Sequence, residues 1–480
     1  MPDSYAVRQS ADLAGHAGKF EFRLDFYPVR DSAGTQIGSA SVFSYLLESD
    51  DPTPPGRPVI FAFNGGPGAS SAFLHLGGLG PVQVEIPEDL SAGIHPPYPL
   101  RQSTHSLLDT ADLVFIDPVG AGFGRFAGGA DPTACYSVLG DARYFADIIR
   151  GWVRRNGRWD SPKYILGESY GTHRAPFLAA ALLDGPAVPL DGIILLGQAL
   201  NVQETLDRPG NVTAAIASLP LKAAVAWYHR VGSADCATAE DAVEAALEYA
   251  HTDFALAILK GRGLSESERA EVAARLESMT GISASRYLRT GLWLSKTEFR
   301  RELLGDQGLV LGRDDARYVS RAANTAAGEN ETDPAGLHIW PAYTAGVGRQ
   351  FHEVLGVPAE DEYRLVDTNA SANWDWADPA SARFLQMGRP SPFTVYPYPS
   401  RLTQYFKYVP TARLFIGTGI YDTLTTIGAV EHLLRQYDFP EGHVTSRRYP
   451  AGHMMYTDPV AAAQLSRDLR AFMTVTSAQS

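Results

Sequence analysis

Two cysteines, Cys135 and Cys236, stand in 480 residues. A disulfide framework is thereby excluded, and two buried free thiols are the simplest expectation. No apolar run is long enough to cross a bilayer. The first residues, MPDSYAVRQSADLAGHAGKF, have neither the basic start nor the apolar stretch of a secretory leader. A cytoplasmic protein without membrane attachment is expected. No basic run interrupts a chain whose formal net charge is -13. Nucleic acid is excluded as the main partner, because that binding depends on Lys and Arg neutralising phosphates. No metal-ligand spacing or phosphate loop ending in Gly-Lys-Ser/Thr is present, so no cofactor or metal is expected. A homodimer is left open.

What is present is the composition of a globular enzyme: 45% hydrophobic and 20% charged residues, with Gly and Pro scattered along the chain. KFEFRLDFYPV and SASVFSYLLES alternate with period two around DSAG, which predicts a hairpin. Four short apolar runs follow, VIFAF, DLVFID, KYILG and GIILLG, and they suit central strands covered on both faces. VLGDARYFADIIRGWVRRN and the residues after Tyr170 carry helical spacing. Strand and helix alternate, the signature of an α/β architecture. From about Asn201 to Phe384 the pattern turns helical, Ala-rich and irregular. It then returns to strands with RLFIGTG and SRRYP. The expected organisation is an α/β core in two parts, 1–200 and 385–480, interrupted by a mainly helical cap at 201–384.

Gly167-Glu168-Ser169-Tyr170-Gly171 is a G-x-S-x-G motif between an apolar strand and a helix. A nucleophilic serine needs such a sharp turn, where small neighbours let the elements pass closely and the helix N-terminus faces developing negative charge. An ordinary βα turn with a capping serine is the competing reading. Asn64-Gly65-Gly66-Pro67-Gly68 follows the strand VIFAF and is placed to turn backbone N–H groups toward the serine. The acid and the base must come later, in that order. Asp422 lies just after RLFIGTG, and His453 lies in the short loop after SRRYP. His75, His105 and His173 read as structural histidines, and His443 precedes the strand that should precede the base.

NGGPGASS, DLVFIDPVGAGFGR, ILGESYG and AGHMMY together resemble the serine carboxypeptidase family, in order, over about 59–200 and 413–456. The middle of the chain is more like the bacterial members. The resemblance implies an α/β-hydrolase fold with a mostly parallel central sheet and an inserted cap. It implies peptide substrates that lose C-terminal residues through an acyl-enzyme. It also implies an oxyanion hole from the N–H groups of Gly66 and Tyr170, and a grip on the substrate carboxylate by Asn64 and Glu168. The family has a second carboxylate-gripping glutamate where this chain has Gly78, and a cysteine where it has Ala69. Arg174 and Arg125 are candidates to replace the missing acid with an ion pair, against surface or helix-face roles as the competing and more usual reading. Trp227, Tyr228, Trp293, Trp374 and Trp376 read as an aromatic-rich cap core, with the lining of a pocket as the alternative. An esterase, acyltransferase or aminopeptidase on the same scaffold is the alternative function. A non-catalytic binding module would require a broken triad.

Overall fold

A computed structural model of the chain describes residues 4–13, 16–48, 56–87, 89–90, 95–321, 333–380 and 395–474. The strands, in chain order, are β1 (Ser4–Leu13), β2 (His16–Arg30), β3 (Gln36–Leu47), β4 (Val59–Phe63), β5 (Val82–Val84), β6 (Leu100–Gln102), β7 (Asp112–Ile116), β8 (Arg125–Phe126), β9 (Lys163–Glu168), β10 (Gly192–Leu196), β11 (Leu309–Leu311), β12 (Val319–Arg321), β13 (Arg413–Gly419) and β14 (Val444–Tyr449). Ten of them build one sheet in the order β1-β2-β3-β7-β4-β9-β10-β13-β14, with β8 beside β3. The β1–β3 meander and its junctions with β7 and β8 are antiparallel. From β7 to β14 every pairing is parallel. β5 with β6, and β11 with β12, pair apart from this sheet.

β4, β7 and β10 are buried along their whole length. Their side chains alternate between two cores: Val59, Phe61 and Phe63 of β4 join one, Ile60 and Ala62 the other. Helices Val138–Arg155, Tyr170–Leu183 and Tyr398–Tyr408 cover the first face, and Pro334–Val347 and Pro459–Thr474 cover the second. Helices on both faces of a largely parallel sheet, with a helical insertion, make the α/β-hydrolase fold expected from the sequence.

The insertion has its own core, in which Leu221, Val225, Val243 and Phe299 pack with Ile420, Tyr421 and Ile427 of the segment that follows β13. Its last portion returns over the segment Gly68–Ser70 that follows β4. Leu365 O accepts from Ser70 N, and Gly68 O accepts from Asp367 N, both at 2.8 Å. The expected boundary at 384/385 lies outside the described residues. Cys135 and Cys236 are both free. Among the described residues no helix is long and apolar enough to cross a membrane.

Candidate active site

β9 ends at Glu168, and the chain turns at Ser169 straight into the helix Tyr170–Leu183. Ser169 has φ 57° and ψ -122°, a region that costs a non-glycine residue about 1–3 kcal/mol and persists only where packing enforces it. The enforcement is visible at three glycines. A Cβ on Gly167 would lie 2.4 Å from Gly171 O, and one on Gly65 would lie 2.4 Å from Tyr170 N and 2.8 Å from the Ser169 Cβ. The NGGPG loop therefore sits directly on the serine turn, and Gly66 follows with φ 103°. Ser169 N donates to Leu196 O at the end of β10 (3.0 Å).

Asp422 and His453 follow β13 and β14. Both strands run parallel to β9 and β10, so their loops emerge at the same end of the sheet as Ser169. His453 Nδ1 lies 2.7 Å from Asp422 Oδ2, and both residues are buried. The remaining Asp422 oxygen accepts from Leu424 N (2.7 Å) and Thr425 N (3.0 Å), which fixes the carboxylate plane. The imidazole rests on Gly197, the residue after Leu196: a Cβ there would be 2.9 Å from His453 Cε1. The Ser169 turn and the imidazole thus both lie at the Leu196–Gly197 end of β10. Burial works against the charge on His453, but the charge and hydrogen bond of Asp422 outweigh it, and Glu168 and Asp314 add to them. The imidazole is raised to about 9.

Asn64 and Glu168 also come together. Asn64 Nδ2 donates to Glu168 Oε2, and Asn64 Oδ1 accepts from Leu74 N (3.1 Å). The Tyr456 hydroxyl donates to the same Glu168 oxygen at 2.8 Å. Burial pushes the Glu168 carboxyl up to about 7, against the lowering effects of the His453 charge and the Tyr456 hydrogen bond.

Two candidate arginines are engaged within the fold. Arg174 does not offer its charge to a substrate: it is wholly buried, with Nε 2.7 Å from Asp141 Oδ2 and Nη1 donating to Asn64 O at 3.0 Å. Arg125 spends its guanidinium on the carbonyls of Gly122, Gly124 and Glu362. Gly78 has φ 118°, and the space for a side chain there faces Gln83 Oε1 (3.2 Å) and Ser103 Oγ (3.6 Å). A glutamate at that position would meet backbone strain. His75 and His173 are buried, and burial lowers them to about 3 and about 4, which makes them neutral structural rings. Trp374 and Trp376 reach the Tyr170 ring at 5.0 and 5.7 Å. Trp227 and Trp293 pack in the insertion.

Three contributors escape sequence reasoning. Tyr456 lies three residues after His453, in the segment AGHMMY, which gives no sign of its bond to Glu168. Thr425 donates to Asp422 Oδ2. Asp314 comes from the insertion, and its carbonyl accepts from His453 N (2.6 Å). Only tertiary folding brings it there.

A family model described as serine carboxypeptidase matches residues 25–216. Serine carboxypeptidase-like 8 of Arabidopsis thaliana is 27% identical over 197 residues, 38% of this chain and 42% of that protein. Serine carboxypeptidase-like 28 of the same plant is 31% identical over 168 residues, 32% and 33% of the two chains. The chain thus matches less than half the length of these relatives. Both relatives are plant proteins, so the expected likeness to bacterial members is not shown. Among solved structures, a prohormone-processing carboxypeptidase from Saccharomyces cerevisiae superposes with a TM-score of 0.59 at 15% identity, covering 95% of this chain and 91% of that one. That likeness is one of fold.

Proposed function

We propose that the chain is a serine hydrolase, and within that class a carboxypeptidase, with Ser169 as nucleophile, His453 as base and Asp422 as the acid that orients it. The observation that carries the proposal is the 2.7 Å Asp422–His453 pair facing the same end of the sheet as the strained Ser169 turn. With Nδ1 held by Asp422, Nε2 of His453 is the nitrogen that takes the Ser169 proton. Ser169 Oγ then attacks the scissile carbonyl, and the N–H groups of Gly66 and Tyr170 receive the charge that develops on its oxygen. His453 returns the proton to the leaving amine as the C–N bond breaks. Water, deprotonated by the same imidazole, releases the acyl group from Ser169.

Asn64 and Glu168 are assigned to the substrate's terminal carboxylate. A neutral Glu168 donates a hydrogen bond to it, whereas an ionised one repels it. A pKa near 7 leaves much of Glu168 protonated at neutral pH. The esterase or acyltransferase reading keeps one specific support: Gly78 brings no second acid, and Tyr456 and Asn64 already occupy one Glu168 oxygen. Peptides with free and amidated C-termini, compared with matched esters by mass spectrometry of the products, separate the two. Release of the last residue from free peptides alone supports the carboxypeptidase. Equal turnover of amides, or turnover of esters only, contradicts it.

A further inference from the structure

Arg174 and Asp141 form an ion pair with no solvent exposure on either partner. Such a pair seldom adds net stability, because desolvating both charges offsets their attraction. This one is joined to the chemistry on two sides. Beyond its two contacts with Asp141 (Nε 2.7 Å, Nη2 3.3 Å), the guanidinium gives Nη1 to the carbonyl of Asn64 at 3.0 Å. Asn64 is two residues before Gly66. The Tyr170 hydroxyl donates to Asp141 Oδ2 at 3.0 Å. The guanidinium also lies 4.0 Å over the Phe145 ring and 4.9 Å over Phe63, the last residue of β4. Asp141 itself is fixed in the first turn of the helix Val138–Arg155, which Ser137 caps.

We propose that Asp141 and Arg174 are positioning residues of the oxyanion hole: one buried ion pair ties the Asn64 carbonyl to the Tyr170 ring and thereby sets the directions of the Gly66 and Tyr170 N–H groups. This rests on the proposed role of Ser169. Neither residue touches substrate. Their effect falls on the transition state, where donor placement within a fraction of an ångström decides how much charge is stabilised.

The test uses the full chain with Arg174→Met, Arg174→Lys, Tyr170→Phe, and the uncharged double variant Asp141→Leu/Arg174→Met, which leaves no unpaired charge should a single variant fail to fold. Each is titrated with a fluorophosphonate to count reactive sites, and kcat, KM, inhibition by product and inhibition by a peptidyl aldehyde are measured. The aldehyde forms a tetrahedral adduct whose oxygen uses the hole, and the product does not. Arg174→Met and the double variant are expected to lose about 10²- to 10³-fold in kcat, and the same factor in aldehyde affinity. KM and product inhibition should stay within about threefold. Arg174→Lys should recover part of the loss, and Tyr170→Phe should lose about three- to tenfold by the same pattern. Unchanged kcat and aldehyde affinity in a folded double variant would overturn the proposal. So would a loss shared equally by reactive-site count, KM and product inhibition, which marks a purely structural pair. Absence of labelling at Ser169 in the unaltered protein would overturn the nucleophile assignment itself.

Discussion

Tyr456 OH donates to Glu168 Oε2 at 2.8 Å, so the loop that carries His453 also holds the residue preceding Ser169. The phenol favours the ionised carboxylate, and removing it raises the Glu168 pKa further above about 7. Carboxylate binding requires the protonated form and acylation the neutral imidazole, whose pKa of about 9 lies above that of Glu168. The lower break of kcat/KM is therefore set by Glu168, and Tyr456→Phe is predicted to move that acid limb to higher pH. The shift should appear for peptides with free C-termini and be absent for amidated ones. An unmoved limb would detach Glu168 from substrate binding.

Glu168 also acts on His453, as one of the charges that raise the imidazole to about 9. Acylation needs the neutral imidazole, so kcat/KM rises as pH passes upward through its pKa. Glu168→Gln removes that negative charge, lowers the imidazole pKa and is predicted to move the acid limb to lower pH. An ester without a free carboxylate isolates this effect, and its pH profile in the two proteins is the measurement. A shift toward higher pH contradicts the electrostatic arrangement.

Asp422→Asn and His453→Ala are predicted to impair one step together. The double variant should be little slower than the worse single one, because groups acting as a unit are strongly non-additive. Single-turnover acylation rates provide the check, and multiplicative losses would mean that one residue is misassigned.

Gly78 has φ 118° and a side-chain direction facing Gln83 and Ser103. Gly78→Glu is therefore predicted to destabilise the fold by about 1–3 kcal/mol, read as a lower thermal midpoint. It should leave the preference for free over amidated C-termini unchanged. A stable variant with a stronger preference would place position 78 at the substrate carboxylate after all.

The parallel core was legible because strands buried on both faces write themselves as continuous apolar runs such as VIFAF and GIILL. The hairpin of β2 and β3 was equally clear from its alternation. β1 was missed: SYAVRQSADL is exposed or half-buried at every position but the last, so no face carries a strong apolar signal. Ser169, Asp422 and His453 could be singled out as candidates because each follows a recognisable strand. The opposite was true of Arg174. Its sequence neighbourhood pointed to a surface or helix-face role or to a substrate contact, whereas its burial against Asp141, 33 residues away, depends on how two helices pack. Asp314 gave no signal, because the insertion's return to His453 is written in no local pattern.

The central claim, that Ser169 is a nucleophile activated by His453, is tested most directly by reacting the protein with a fluorophosphonate and locating the adduct by tandem mass spectrometry. The account predicts one adduct, on Ser169. It also predicts that Ser169→Ala abolishes labelling and lowers kcat on the order of 10⁶-fold, leaving only binding and oxyanion contributions. Labelling at another residue, or a folded Ser169→Ala protein that keeps more than a few per cent of its activity, would contradict it.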